Sequence, residues 1–176
     1  LGDDAPVNSW DLVFDPANAE KLKDCGITML DAPEEIIPAA LNYLGLDPNA
    51  RSADDFAKAS ELLKKVRPYV QKFHSSEYIN GLANGDICVA IGWSGDVFQA
   101  RDRADAANNG VTIAYSIPKQ GALICFAQLA IPHAPPHAEN AATSTNYIIP
   151  PHFTAPPTPT TTSPPRNLPT PRHTAT

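Results

Sequence analysis

Two hydrophobic periods alternate along this chain, and the change from one to the other is sharpest between Asn84 and Ala100. Ile87 to Ile91 is a short apolar run with β-branched residues, bounded by turn formers, which predicts a buried strand. Beyond Gly92 the period becomes helical: Val97, Ala100 and Ala104 share a face, Ser94 is placed to cap, and Asp96 falls in the first turn. Trp93 and Asp96 therefore stand where a strand hands over to a helix. In open α/β sheets ligands bind at that place, in the crevice beyond the carboxyl ends of the strands.

The remaining elements follow from the same patterns. Trp10, Leu12 and Phe14 alternate, which predicts a short extended piece, and Pro16 to Cys25 reads as a helix with Asp15 as its cap, stopped at Gly26. Ile27 to Leu30 reads as a strand. Pro33 opens a helix with an apolar stripe of Ile36, Ile37, Ala40, Leu41 and Leu44, closed by Gly45. Ser52 with Asp55 resembles a capping box, followed at helical spacing by Phe56, Ala59, Leu62, Leu63 and Val66 up to Pro68. Tyr78, Ile79 and Leu82 mark a short helix capped by Ser75 or Ser76. Val111 to Tyr115 and the apolar run Leu123 to Ile131 read as two further strands. This order predicts an α/β fold, a mixed, mostly parallel sheet with helices on both faces.

From about Pro132 the pattern dissolves, so the chain divides into a lobe over 1–132 and an extended or disordered tail over 133–176. Residues 151–176 hold eight Pro and eight Thr, too little apolar surface to offset the entropy of ordering. The net charge is −6, and residues 140–176 carry two arginines and no acid, so the negative charge resides in 1–139. An acidic domain repels nucleic acid and anionic lipid and favours cationic partners. The lysines at 58, 64 and 65 are interleaved with acids rather than aromatics, a solvated face and not a nucleic-acid patch.

Three cysteines, Cys25, Cys88 and Cys125, form no CxxC pair, and no His stands at metal-ligand spacing. Cys88 and Cys125 lie in apolar runs and read as small buried hydrophobes. No apolar run has the length of a transmembrane helix. The opening at Leu1 rather than Met suggests a processed product or an internal fragment.

Candidate chemistry centres on Trp93 and Asp96. Each has a structural reading: a first-turn carboxylate complements the helix dipole, and Trp packs at sheet edges. Together they also supply what an aliphatic ammonium ligand needs, a π face for the charge, an apolar wall for methylenes and an anion. Glu34, in the first turn of its helix, has the same dipole-complementing alternative. His74 reads as a packed or hydrogen-bonded histidine. A small α/β enzyme using Asp96, Glu34 or His74 as acid or base is a competing reading, but no nucleophile and base pair, phosphate loop or metal cluster accompanies them. A third reading is a structural fragment that binds nothing.

At NSWDLVFDP (8–16), DAPEE (31–35), LNYLG (41–45), FHSSEYINGLANGDICVAIGWSGDVFQA (73–100) and YSIPKQGA (115–122), the chain resembles the periplasmic polyamine-binding proteins of ABC importers, most nearly their putrescine-binding branch. The resemblance runs from near Gly2 to about Pro132. It implies one lobe of a type II periplasmic-binding-protein fold, the second of two lobes that close on a linear polyamine, with a membrane permease as the partner of the complete protein and no enzymatic chemistry or cofactor. By the same resemblance Asp96 holds an amine, Trp93 lines the methylene chain, and Glu34 and Ser75 add polar contacts. Where the family carries an aromatic and, two positions on, a carboxylate, this chain has Cys125 and Ala127.

Overall fold

The computed structural model describes residues 5–126 and 129–148. Two compact units are distinguished, Leu1–Ile124 and Cys125–Thr176. The first contains a three-stranded, wholly parallel sheet: β1 (Ile27–Met29), β2 (Val70–Phe73) and β3 (Val89–Ala90), in the spatial order β2-β1-β3. Ile27 aligns with Val70 on one side and Val89 on the other. All three residues of β1 are buried, although successive side chains point to opposite faces, so both faces of the central strand are covered.

The helices form two groups. Helices α1 (Asp11–Phe14), α2 (Pro16–Leu22), α3 (Pro33–Tyr43) and α4 (Ala53–Val66) pack on one another, and α5 (Glu77–Asn84) packs on α6 (Ser94–Ala107). Asp15 caps α2 by accepting from the Ala17 N–H, with Pro16 at the first helical position, and Ser52 caps α4 through the Asp55 N–H. Ile36, Ala39, Ala40 and Leu41 carry α3 into the core, while Leu44 stays exposed. Ala59, Leu62 and Val66 do the same for α4.

Several expectations are corrected. Trp10 to Phe14 is helical rather than extended, because Val13 and Phe14, three and four residues after Trp10, are the buried pair, and Ser9 Oγ accepts the Asp11 N–H at 3.1 Å to start the turn. Helix α2 ends at Leu22, short of Cys25, and the strand expected over Ile87 to Ile91 is only Val89–Ala90, an edge strand whose residues are half-buried. Val111 to Tyr115 forms no strand. It is held by side chains instead, through a tilted Phe98–Tyr115 ring pair with centroids 5.2 Å apart and Ile113 against the core. Among the described residues of 123–131 there is no strand either. Cys25 and Cys88 are joined in a disulfide with a Cα–Cα distance of 5.5 Å, and Cys88 and Cys125 are both exposed rather than buried.

The described part of the second unit contains helix α7 (Ala138–Ile148), which buries none of its residues. Thr143 and Thr145 hydroxyls donate to the carbonyls of Glu139 and Ala141, each at 2.8 Å. The Pro/Thr-rich stretch from 151 onward lies outside the described residues. No helix among the described residues is long and apolar enough to cross a membrane.

Candidate functional site

Because the three strands run parallel, their carboxyl ends open on one edge of the sheet, and three short segments leave from it. Residues 30–34 follow β1, 74–76 follow β2, and 91–96 follow β3. Backbone bonds continue the ladders past the assigned strands: the His74 N–H donates to the Met29 carbonyl at 3.0 Å and the Ile91 N–H to the Thr28 carbonyl at 3.0 Å. The chain after each strand is thereby pinned beside the central one.

At the end of β3, Trp93 precedes α6 and Asp96 sits in its first turn. Ser94 opens the helix rather than capping it; the cap position is Trp93, and it makes no side-chain capping bond. The connection between the two site residues is Tyr78 of α5, whose side chain is 1% exposed. The Tyr78 hydroxyl donates to Asp96 Oδ2 at 2.7 Å and accepts the Trp93 N–H at 3.2 Å. Burial first, and then the Asp96 hydrogen bond, push the Tyr78 pKa well above its ordinary value, so the phenol stays a neutral donor to the carboxylate. Gly92 makes this possible: a Cβ there would stand 2.7 Å from Tyr78 Cζ.

Asp96 is half-buried, and Oδ1 has no hydrogen-bond partner among the described residues. Trp93 is 38% exposed. Its Nε1–H donates to Glu35 Oε1 at 3.4 Å, which ties α3 to the start of α6. Glu34 is exposed on the first turn of α3, one residue from that contact. Ser75 is half-buried in the turn between β2 and α5, and its hydroxyl makes no hydrogen bond among the described residues.

His74 has a capping role. Its Nδ1 accepts the N–H groups of both Ser76 and Glu77 at 3.1 Å, replacing the serine cap expected for α5. Accepting two donors requires Nδ1 to be unprotonated, which puts the proton on Nε2, 3.3 Å from Glu77 Oε1. Glu77 also pairs with Lys72, and that hydrogen bond holds its carboxyl below the usual range. Both nitrogens of His74 are thus occupied in holding the turn that carries Ser75.

Of the four residues the sequence singles out, Trp93 and Asp96 are joined through Tyr78, which sequence reasoning missed, as it missed Glu35 as the residue touching Trp93; no hydrogen bond among the described residues joins Glu34 or Ser75 to them. A signal for Tyr78 was present: a tyrosine on the apolar face of a short helix needs a partner for its hydroxyl. Ala127 lies outside the described residues. No group of acids, histidines and cysteines among the described residues could hold a metal ion. Two cavities, of about 410 and 470 Å3, lie along α4 and beside β2 and α5, and neither is lined by the four residues named above.

A family model described as "Bacterial extracellular solute-binding protein" matches residues 2–157. Among curated proteins, the putrescine-binding periplasmic protein PotF of Escherichia coli is 54% identical over 88% of this chain and 42% of its own length. The putrescine-binding periplasmic protein SpuD of Pseudomonas aeruginosa is 52% identical over the same shares. The chain thus spans less than half the length of these relatives. Among solved structures, the TpPotD lipoprotein of Treponema pallidum matches with a TM-score of 0.61 and 24% identity, over 83% of this chain and 44% of that one, a likeness of fold.

Proposed function

This chain belongs to the bacterial extracellular solute-binding protein family, and from that premise we propose that its sheet edge is one wall of a cleft for a linear polyamine such as putrescine or spermidine. Asp96 anchors an ammonium, the Trp93 face lines the methylenes, and Glu34 and Ser75 add polar contacts. The observation that carries this reading is the pairing, through the Tyr78 hydroxyl, of an exposed Trp93 with a half-buried Asp96 carboxylate at the carboxyl end of a parallel strand. Relatives named as putrescine-binding periplasmic proteins support the ligand class. The complete protein acts in the periplasm as the solute receptor of an ABC importer, delivering ligand to its membrane permease and catalysing no reaction. The Cys25–Cys88 disulfide suits that oxidising compartment. Within the chain, residues 1–132 carry the lobe, and residues 133–176, which include helix α7, follow it.

The test is calorimetry with putrescine on this chain and on a chimaera in which residues 5–122 replace the matching segment of a putrescine-binding relative. The chain alone binds weakly, because a ligand held by one wall gives up hydration with little in return. The chimaera binds, and Asp96→Asn in it loses roughly 2–5 kcal/mol, Trp93→Ala roughly 1–3 kcal/mol. Unchanged affinity in the Asp96→Asn chimaera overturns the assignment.

A further inference from the structure

We propose that Tyr78 is a positioning residue that makes this edge select a compact ammonium over a planar guanidinium. The inference rests on the reading of Asp96 as an amine anchor. A guanidinium is held best by two parallel N–H bonds, one to each carboxylate oxygen, whereas an ammonium is a point charge satisfied by one oxygen. In this structure Asp96 Oδ2 already accepts the Tyr78 hydroxyl at 2.7 Å, leaving Oδ1 as the oxygen without a partner among the described residues. A fork-shaped cation must share Oδ2 with Tyr78; an ammonium need not.

The same hydroxyl accepts the Trp93 backbone N–H at 3.2 Å, so the carboxylate and the backbone that carries the indole are referenced to one buried atom. The tyrosine ring has little freedom to move away. It is 1% exposed, and it lies against Gly92 so closely that a side chain there would overlap it. The clamp thus fixes which carboxylate oxygen is already engaged and where the backbone of Trp93 stands beside it.

The experiment uses the full 176-residue chain and its Tyr78→Phe variant, which keeps the ring and removes the hydroxyl. Two readouts are taken by NMR: protection of the Trp93 amide from exchange without ligand, and titration into the millimolar range with putrescine and with its bis-guanidino analogue. The wild-type chain is expected to protect the Trp93 amide and to prefer putrescine. In Tyr78→Phe that protection falls, putrescine binding weakens by about tenfold, and the analogue loses less, so the preference narrows. An unchanged Trp93 amide in Tyr78→Phe overturns the clamp. Equal losses for both ligands overturn the selectivity while leaving the polyamine reading intact. Absence of binding by wild type overturns the selectivity in this chain, while the amine-anchor reading is decided by Asp96→Asn in the chimaera and the clamp by the amide readout.

Discussion

Removing the Cys25–Cys88 bridge is the most informative perturbation of the fold. The two cysteines are 63 residues apart in sequence, and a closed loop of that length withdraws about 14 cal/mol/K from the unfolded chain, about 4 kcal/mol at room temperature. The bridge sits where β1 and β3 begin, and there the Cys88 N–H also donates to the Cys25 carbonyl at 3.1 Å. Loss of the covalent bond therefore leaves the pairing geometry in place and acts chiefly by freeing the unfolded chain. The assay is equilibrium urea unfolding, followed by tryptophan fluorescence, of the oxidised chain, the reduced chain and the Cys25→Ser/Cys88→Ser variant. With a urea slope of about 2 kcal/mol/M, the midpoint should fall by roughly 2 M. Reduced chain and double variant should agree, and a non-reducing peptide map should recover Cys25 linked to Cys88. A midpoint displaced by less than about 0.5 M, in a chain whose bridge the map confirms, would refute the reasoning.

Three further outcomes follow from the same geometry. Gly92→Ala places a methyl group 2.7 Å from Tyr78 Cζ and should destabilise by about 1–3 kcal/mol, read as a lowered thermal midpoint; an unaltered midpoint would mean that α5 and α6 yield freely. His74→Ala removes the acceptor for the first amides of α5 and should cost about 0.5–2 kcal/mol, with the loss of protection concentrated at Ser76 and Glu77; uniform changes across the lobe would argue against capping. Because the folded-state pKa of Tyr78 is raised, the unfolded chain ionises first, so stability present below about pH 10 should decline as pH climbs toward the folded value. Tyr78→Phe should flatten part of that alkaline decline, Tyr43 being raised as well, and an equally steep decline in the variant would remove Tyr78 as its source.

The helices were legible because their signals are local. Asp15 with Pro16, and Ser52 with Asp55, are caps written in adjacent residues, and the stripes of α3 and α4 repeat within a few turns. Strand β2 escaped notice because only Val70 of its four residues is buried, so no alternation marks it. The run at Leu123–Ile131 misled for the opposite reason: its apolar residues imitate a buried strand, yet Ile124 and Phe126 are 80% and 85% exposed. Apolar composition reports what a segment can pair with and not whether the partner is present. Two periods competed at Trp10 to Phe14, and the helical one prevailed because Val13 as well as Phe14 had to be buried. Trp93 and Asp96 stood out by their position after a strand, whereas the Tyr78 contact spans 18 residues and the Glu35 contact 58, distances across which a sequence gives no geometric signal.

The middle place of β1 in the sheet sets the order in which the lobe can be assembled. Ile27 is made before either of its neighbours, and its partners Val70 and Val89 follow only about 40 and 60 residues later. Until then the three buried residues of β1 have no ladder to join, and closing such long loops is slow compared with coiling the helices between them. Helices α3 and α4 accordingly have time to form and dock before the sheet exists, so refolding of the reduced chain, in which no bridge holds β3 beside β1, should show helical signal running ahead of the burial of Met29, with the last step being the arrival of β3 and, with it, of Trp93 and Asp96 at the edge.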